Sequence, residues 1–175
     1  MTIGATEQDR RYLEAVATFG PAHERLARGY EADADLRWDL KQEIHTALWK
    51  SLPKFAGRCS LRTWVYRVAH NTAASHVLKH RSKHTFVGLE ALEAASNEDD
   101  PERAVVEQDA KRRLLRLVHA LNPADRQLML LYLEDLDIAT IGDVTGLSSA
   151  AIAVKVHRIK AVLARRFQQG GRNDR

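Results

Sequence analysis

DLKQEIHTALWKSLPKFAGRCSLRTWVYRVAHNTAASHVLKHRSK, Asp39 to Lys83, sets an acidic-edged stretch beside an aromatic, strongly basic one. Leu36, Leu40, Ile44, Ala47, Leu48 and Leu52 recur at helical spacing, which predicts a helix from about Ala34 to Leu52. Asp39, Gln42, Glu43 and Thr46 fall on another face, extended by Lys50, and that face reads either as solvated surface or as a docking surface. Pro53 ends the helix. Lys54 to Cys59 is a loop with Gly57 for turn freedom, and Ser60 is placed to cap a second helix. By period, Leu61, Trp64, Val65, Val68 and Thr72 point inward, with Arg62, Arg67 and Asn71 off that stripe. From Ile44 to Leu89 there is no acid, while Lys50, Lys54, Arg58, Arg62, Arg67, Lys79, Arg81 and Lys83 all fall there. Phe55, Trp64, Tyr66 and five histidines share the same span. One sign of charge interleaved with aromatics suits a polyanion whose bases can be stacked upon. Trp64 and Tyr66 sit too near one another along the helix for both to face a core. One of them, or Phe55, is left to stack.

Toward the N-terminus, the pattern predicts a helix from Glu7 to about Thr18, ended by Gly20-Pro21, and a short one from Ala22 to Tyr30. On the C-terminal side, Thr85 to Asp109 lacks a sustained apolar face. Glu90 to Asp109 carries Glu90, Glu93, Glu98, Asp99, Asp100, Glu102, Glu107 and Asp109 against Arg103 alone. Self-repelling charge of this kind predicts an extended acidic linker, either a plain tether or a strand-like segment for a basic channel. Helices resume at Ala110, packed through Leu114, Leu115, Leu117, Val118 and Leu121, then from Ala124 to Leu133 after Asn122-Pro123.

The last part has its own pattern. Asp137 to Val144 reads as a short helix, Thr145-Gly146 as a turn, and Ser148 as the cap of a long helix with Ile152, Val156, Ile159 and Leu163 inward. Leu147 and Ile152 hold hydrophobic-staple positions. Helix, glycine-containing turn and capped basic helix form a helix-turn-helix, whose second helix fits a DNA major groove. Its outward residues are Ser149, Ala150, Ala153, Val154, Lys155, His157, Arg158 and Lys160. Val144 to Asn173 holds six Lys or Arg and no acid.

At 175 residues and 29% charged, with a net charge of +4, the chain has room for one ordinary domain or two small ones. Apolar spacing of three and four almost throughout predicts an all-α fold: two small helical domains joined by the acidic linker. The single Cys59 excludes an internal disulfide and a multi-cysteine zinc site, in keeping with a reducing cytoplasm. No signal peptide or membrane span is expected. His76 and His80 are four apart but lack a third ligand, so they read as exposed histidines of a basic helix. No HExxH pattern accompanies the eight histidines. Neither metal, cofactor nor enzymatic activity is expected.

Together these residues resemble the extracytoplasmic-function (ECF) sigma factors of bacterial RNA polymerase, which keep two sigma domains, region two and region four. D-L-x-Q-E at Asp39 to Glu43, followed by Trp49, is similar to the family's polymerase-binding helix. F-x-G-R-x-S-x-R-T-W-x-Y-R-x-A-x-N-T, Phe55 to Thr72, is similar to its promoter-melting segment. The run from Leu117 to Leu130 with Pro123 and Arg126, then Leu147-Ser148 and His157-Arg158, is similar to its region four.

The resemblance implies region two at 1–85, a linker at 86–109 and region four at 110–175. Asp39, Gln42, Glu43 and Thr46 would dock on the clamp coiled coil of the core polymerase. Phe55, Arg58, Arg62, Trp64, Arg67, Asn71 and Lys79 would hold the melted non-template strand of the minus-ten element, with Phe55 and Asn71 at a flipped-base pocket. The outward residues of the last helix would read the minus-thirty-five duplex, and the linker would thread toward the active-site and RNA-exit channel. A separate anti-sigma factor is the further partner implied. Lys41 within the docking motif, Trp38 before it, the run Ser75 to His80 and Ala153 depart from the family's usual residues. Two other readings stay open: a stand-alone helix-turn-helix regulator, and a sigma-like partner of an anti-sigma factor.

Overall fold

Pro21 lies inside a helix, not after one. In the computed structural model, which describes residues 6–83, 86, 88–94 and 106–172, α1 runs unbroken over Glu7–Tyr30. Thr6 opens it with a capping box, accepting from the Asp9 N–H at 3.1 Å while its own N–H donates to Asp9 Oδ2 at 3.0 Å. The two short helices expected here are therefore one. A proline in a helix interior costs about 3 kcal/mol or more. Here Pro21 and Ala17, whose carbonyl loses its donor, both face solvent, where water can satisfy that carbonyl. Ala15, Ala22, Leu26, Ala27 and Tyr30 are buried on the other side. Burial of large side chains at roughly 1.5–3 kcal/mol each outweighs the lost bond.

Helix α2 spans Ala34–Ser51, capped by Asp33, which accepts from the Leu36 N–H at 2.9 Å. Its buried stripe is Leu36, Leu40, Ile44 and Leu48, as the periodicity predicts. A single 3-10 turn, Leu52–Lys54, carries Pro53 and delivers the chain to the loop. Ser60 then caps α3, Leu61–Lys79, by accepting from the Thr63 N–H at 3.0 Å.

Helices α1, α2 and α3 pack mutually. Helix α3 buries more than its sequence stripe. Thr63, Val65, Tyr66, Ala69, His70, Ala73, His76 and Val77 are inside, whereas Leu61, Trp64, Val68 and Thr72 are only half-buried. The helix is covered on two sides: Leu61, Val65 and Val68 join a small cluster with Ala15 and Leu48, and Tyr66, Ala69, Ala73 and Val77 join the main core. A helix sandwiched in this way has no single apolar stripe for periodicity to find.

The stretch expected to be a bare linker contains α4, Leu89–Ala94, with Leu89 and Leu92 buried. Helix α5, Val106–Ala120, begins ahead of the Ala110 expected. Much of the intervening acidic run lies outside the described residues. Helix α6, Pro123–Leu133, starts at Asn122, which accepts from the Asp125 N–H at 3.0 Å, with proline at the first turn where no N–H is needed. Asp137 caps α7, Ile138–Thr145, and Gly146 closes it at φ 76°, a left-handed conformation natural to glycine. Helix α8 runs Ser149–Arg172, and the axis turns by 99° between α7 and α8.

One hydrophobic core joins the two halves. Leu26, Tyr30, Ile44 and Val77 belong to the same cluster as Leu128, Leu131, Ile141, Ile152 and Ile159. Helix α3 packs on α6 and α7, and α1 on α5 and α6. At the seam the Arg126 guanidinium is fully buried. It donates to the carbonyls of Tyr30 at 2.8 Å and Leu121 at 3.2 Å, and to that of His119. His119 Nε2 donates to the Arg28 carbonyl at 2.8 Å. The last carbonyls of α1, the negative end of its dipole, are thus capped by cationic or N–H-bearing groups of the second half. Burial lowers the Arg126 pKa to about 10, opposed by Tyr30 and Glu31, and leaves it charged at neutral pH.

Candidate nucleic-acid interface

The polar face of α2 is uncovered. Asp39, Gln42 and Thr46 are exposed, and the neighbouring Trp38 stands 61% exposed. Glu43 is different: half-buried, with Oε2 3.5 Å from His76 Nδ1 and Oε1 3.4 Å from Lys79 Nζ. Lys41 turns away from that face and donates to Glu24 Oε2 at 2.8 Å, tying α2 to α1. Trp49 does the same at the other end of α2, its indole N–H donating to Asp9 Oδ1 at 2.9 Å.

Across the loop, Phe55 leans on Trp64 with ring centroids 5.6 Å apart, and the Trp64 indole N–H donates to Ser51 Oγ at 3.1 Å. Trp64 is therefore fixed and half-buried, and Tyr66 is the aromatic given to the core. Arg58 and Asn71 are exposed. Trp64, Arg67, Asn71 and Leu78 share one side of α3 by helical spacing. Arg62 does not join them. It lies toward Tyr66, its guanidinium 5.8 Å from that ring. Arg67 Nε donates to the Asp143 carbonyl at the end of α7, at 2.9 Å. Lys79 is exposed apart from its contact with Glu43.

The histidines of α3 are not surface groups. His70 and His76 are fully buried. Tyr30 Oη and His70 Nδ1 are paired at 3.0 Å, and Tyr66 stacks on the same imidazole with centroids 6.1 Å apart. Burial, reinforced by nearby His23, lowers the His70 pKa to about 3. Burial, reinforced by His45, lowers His23 to about 4. His76 lies between two carboxylates, 3.5 Å from Glu43 and 3.9 Å from Glu31. Burial still holds its pKa below the ordinary value, against the pull of Glu43. The expectation that His76 is exposed is corrected. Tyr66, Ala69, Ala73 and His76 follow at spacings of three, four and three, so a second apolar side was present in the sequence. Arg126 was equally hidden, since a lone arginine in a short motif does not announce its burial. Among the described residues no group of three His, Cys, Asp or Glu is placed to hold a metal ion.

In the second half, Ser149, Ala150, Ala153, Val154, Lys155, His157, Arg158 and Lys160 all lie on the exposed side of α8. Ser148 Oγ accepts from the Ala151 N–H at 3.3 Å, and Ile152 is buried beneath Leu147 and Gly142. The fixed turn and capped basic helix present a ridge that a major groove could accept. Its cations have intramolecular partners: Lys155 with Asp125 at 3.5 Å, Arg158 with Glu93 at 3.0 Å and Glu90 at 3.1 Å, and Lys160 with Tyr132 Oη at 2.8 Å.

Comparison with known proteins bears on both halves. The family model Sigma-70 region 2 matches residues 15–83, and the model Sigma-70, region 4 matches residues 111–163. The ECF RNA polymerase sigma-E factor of Escherichia coli K12 is 23% identical over 129 residues, 69% of this chain and 66% of its own length. The aligned part thus spans just under two thirds of that relative. The ECF RNA polymerase sigma factor SigG of Mycobacterium tuberculosis is 38% identical over 68 residues, 38% of this chain and 18% of its own. Among solved structures, that of CnrH in complex with the cytosolic domain of CnrY matches with a TM-score of 0.62 at 19% identity, covering 89% of this chain and 86% of that one. At that identity the likeness speaks for the fold. No single helix among the described residues is long and apolar enough to cross a membrane.

Proposed function

The chain belongs to the ECF sigma factor family, and from that premise we propose that it binds a bacterial core RNA polymerase and directs promoter-specific initiation. What carries the reading is the order of parts in one chain: an uncovered polar helix face, an acid-free aromatic and basic helix, and a helix-turn-helix with its left-handed glycine. The polymerase-docking and minus-ten unit is placed in 1–85, the connecting segment in 86–109 and the minus-thirty-five unit in 110–175. Helix α4 gives the connecting segment an ordered piece.

In this proposal Asp39, Gln42 and Thr46 meet the polymerase directly. Glu43 is steadied by His76 and Lys79. Melted minus-ten DNA meets Phe55, Arg58, Arg67 and Asn71, with Arg62 and Lys79 at the margin. Trp64 acts as the fixed floor on which Phe55 rests. Stacking contributes about 1–3 kcal/mol per base, against an unpairing cost of a few kcal/mol. The exposed ridge of α8 reads the duplex. The role is non-catalytic and needs no cofactor, and its setting is the cytoplasm where polymerase works. CnrH was solved with the cytosolic domain of CnrY, and a separate anti-sigma protein is proposed here as a further partner.

Run-off transcription with core polymerase and genomic promoter fragments tests the proposal. Specific initiation dependent on this chain is the expected result. Absence of both initiation and core binding would overturn it.

A further inference from the structure

Helix α4 is six residues long, too short to persist alone, and its position is set by what it touches. It packs chiefly on α8. Leu89 and Leu92 are buried, and Glu90 and Glu93 converge on one guanidinium: Arg158 Nη2 lies 3.1 Å from Glu90 Oε1 and 3.0 Å from Glu93 Oε2. Two carboxylates thus sit where a DNA-reading arginine would place a phosphate or a base edge. The other cations of the ridge, Lys155 and Lys160, are held by Asp125 and Tyr132. On α3, Arg67 is turned onto the Asp143 carbonyl of α7. On α3 and on α8 alike, a basic group of the proposed DNA surface is held by atoms of another element.

We propose that α4 is an autoinhibitory clasp: its two glutamates occupy Arg158 of the DNA-reading helix, and duplex DNA binds only as the clasp is displaced. The inference rests on the duplex-binding role given to α8. Surface ion pairs of this kind are individually weak and screened by salt. The clasp therefore sets a threshold and not a lock, and a polyanion bringing several phosphates at once displaces it. An anchor of two leucines lets it return.

Binding of the full-length chain to a fluorescein-labelled duplex of arbitrary sequence, followed by anisotropy at low salt, is the first test. Glu90→Gln/Glu93→Gln should tighten binding about threefold to tenfold. Glu14→Gln/Asp35→Asn, which changes net charge equally at exposed positions on α1 and α2, should not. The second test needs no variant: hydrogen exchange at the α4 amides should accelerate when saturating duplex is added. Equal affinity for wild type, clasp variant and charge control, or α4 amides still protected in the bound state, would overturn the clasp while leaving duplex binding in place. Failure of every protein to bind duplex would overturn the DNA reading, and the clasp with it.

Discussion

Gly29 of α1 lies so close to Leu130 of α6 that a β-carbon at position 29 would stand 2.4 Å from Leu130 Cδ2 and 3.2 Å from its Cγ. The backbones of the two halves meet there with nothing between them but one leucine side chain. Leu130 is itself buried, so it cannot simply swing into solvent. Gly29→Val should cost about 1–3 kcal/mol by overpacking, and Gly29→Ala less, because alanine recovers up to about 1 kcal/mol of helix propensity. The seam predicts a coupling: Leu130→Ala should destabilise less in a chain that already carries Gly29→Ala than in the wild type. Urea melts of the four proteins measure it. Strict additivity would place the contact outside the stability of the chain.

Arg126 gives a second, sharper probe of the same seam. The buried carbonyls of Tyr30 and Leu121, and the partly buried one of His119, accept from one guanidinium with no exposure to solvent. Arg126→Met keeps volume but takes the donor from the two buried acceptors of Tyr30 and Leu121, at about 1–3 kcal/mol for each. A loss of at least about 2 kcal/mol in urea is expected on that basis. Arg126→Lys should recover little of it, because an ammonium's donors all leave from one nitrogen, whereas Nη1 reaches Tyr30 and Nη2 reaches His119 and Leu121. Near-wild-type stability for the lysine variant would show that charge alone suffices.

The buried histidines set a pH window. His23 and His70 have folded pKa values of about 4 and about 3, below the ordinary 6.5. Below pH 6.5 the unfolded chain takes up protons that the folded chain refuses, so stability falls with decreasing pH down to those folded values. The slope is at most about 1.4 kcal/mol per pH unit for each histidine. Carboxylates held low, such as Glu24 and Asp33, act in the same direction but only below about their ordinary pKa, so the window from about 6.5 to about 5 belongs to the histidines. The melting temperature should drop between pH 7 and pH 5, and His23→Gln should flatten part of the drop. An unchanged melting temperature across that interval would contradict the burial of these two side chains in the working fold.

The difference between what the residues announced and what they concealed has a physical pattern. Where a helix buries one face and leaves the other to solvent, period and caps were enough. Leu36, Leu40, Ile44 and Leu48 are the buried stripe of α2, and Asp137, Gly146 and Ser148 bound the helix-turn-helix as expected. Where an element is packed on two sides, as α3 is, polar residues enter the core and periodicity misplaces them: His76 reads as surface and is buried, and His70, which no stripe claims, is buried with it. Pro21 misled for the opposite reason, because a local breaker was overruled by packing along the whole of α1. The union of the two halves had no signature in either half. It depends on Gly29, Arg126 and the carbonyls at the end of α1, groups whose role appears only when distant segments meet. For the candidate interface, the sequence marked which side chains are exposed on α2 and α8 but not that Arg158, Lys155 and Arg67 are already engaged.

Asp39 and Glu43 sit one turn apart on α2 and separate docking from stability. Asp39 is exposed, its carboxylate without a hydrogen bond or ion pair to any described residue, so reversing its charge should leave the fold unchanged to within about 0.5 kcal/mol. If the α2 face docks on polymerase, Asp39→Arg places a like charge or an unpaired cation in that contact, and affinity for core polymerase should fall at least about tenfold. Glu43→Gln should behave otherwise. It removes the carboxylate between His76 and Lys79, so part of its effect should register as lost stability even without polymerase. Urea melts alongside fluorescence titration of core polymerase give both quantities for both variants. A full-affinity Asp39→Arg protein would remove the docking face from α2. Equal loss of stability in the two variants would mean that Asp39 holds the fold and not the polymerase.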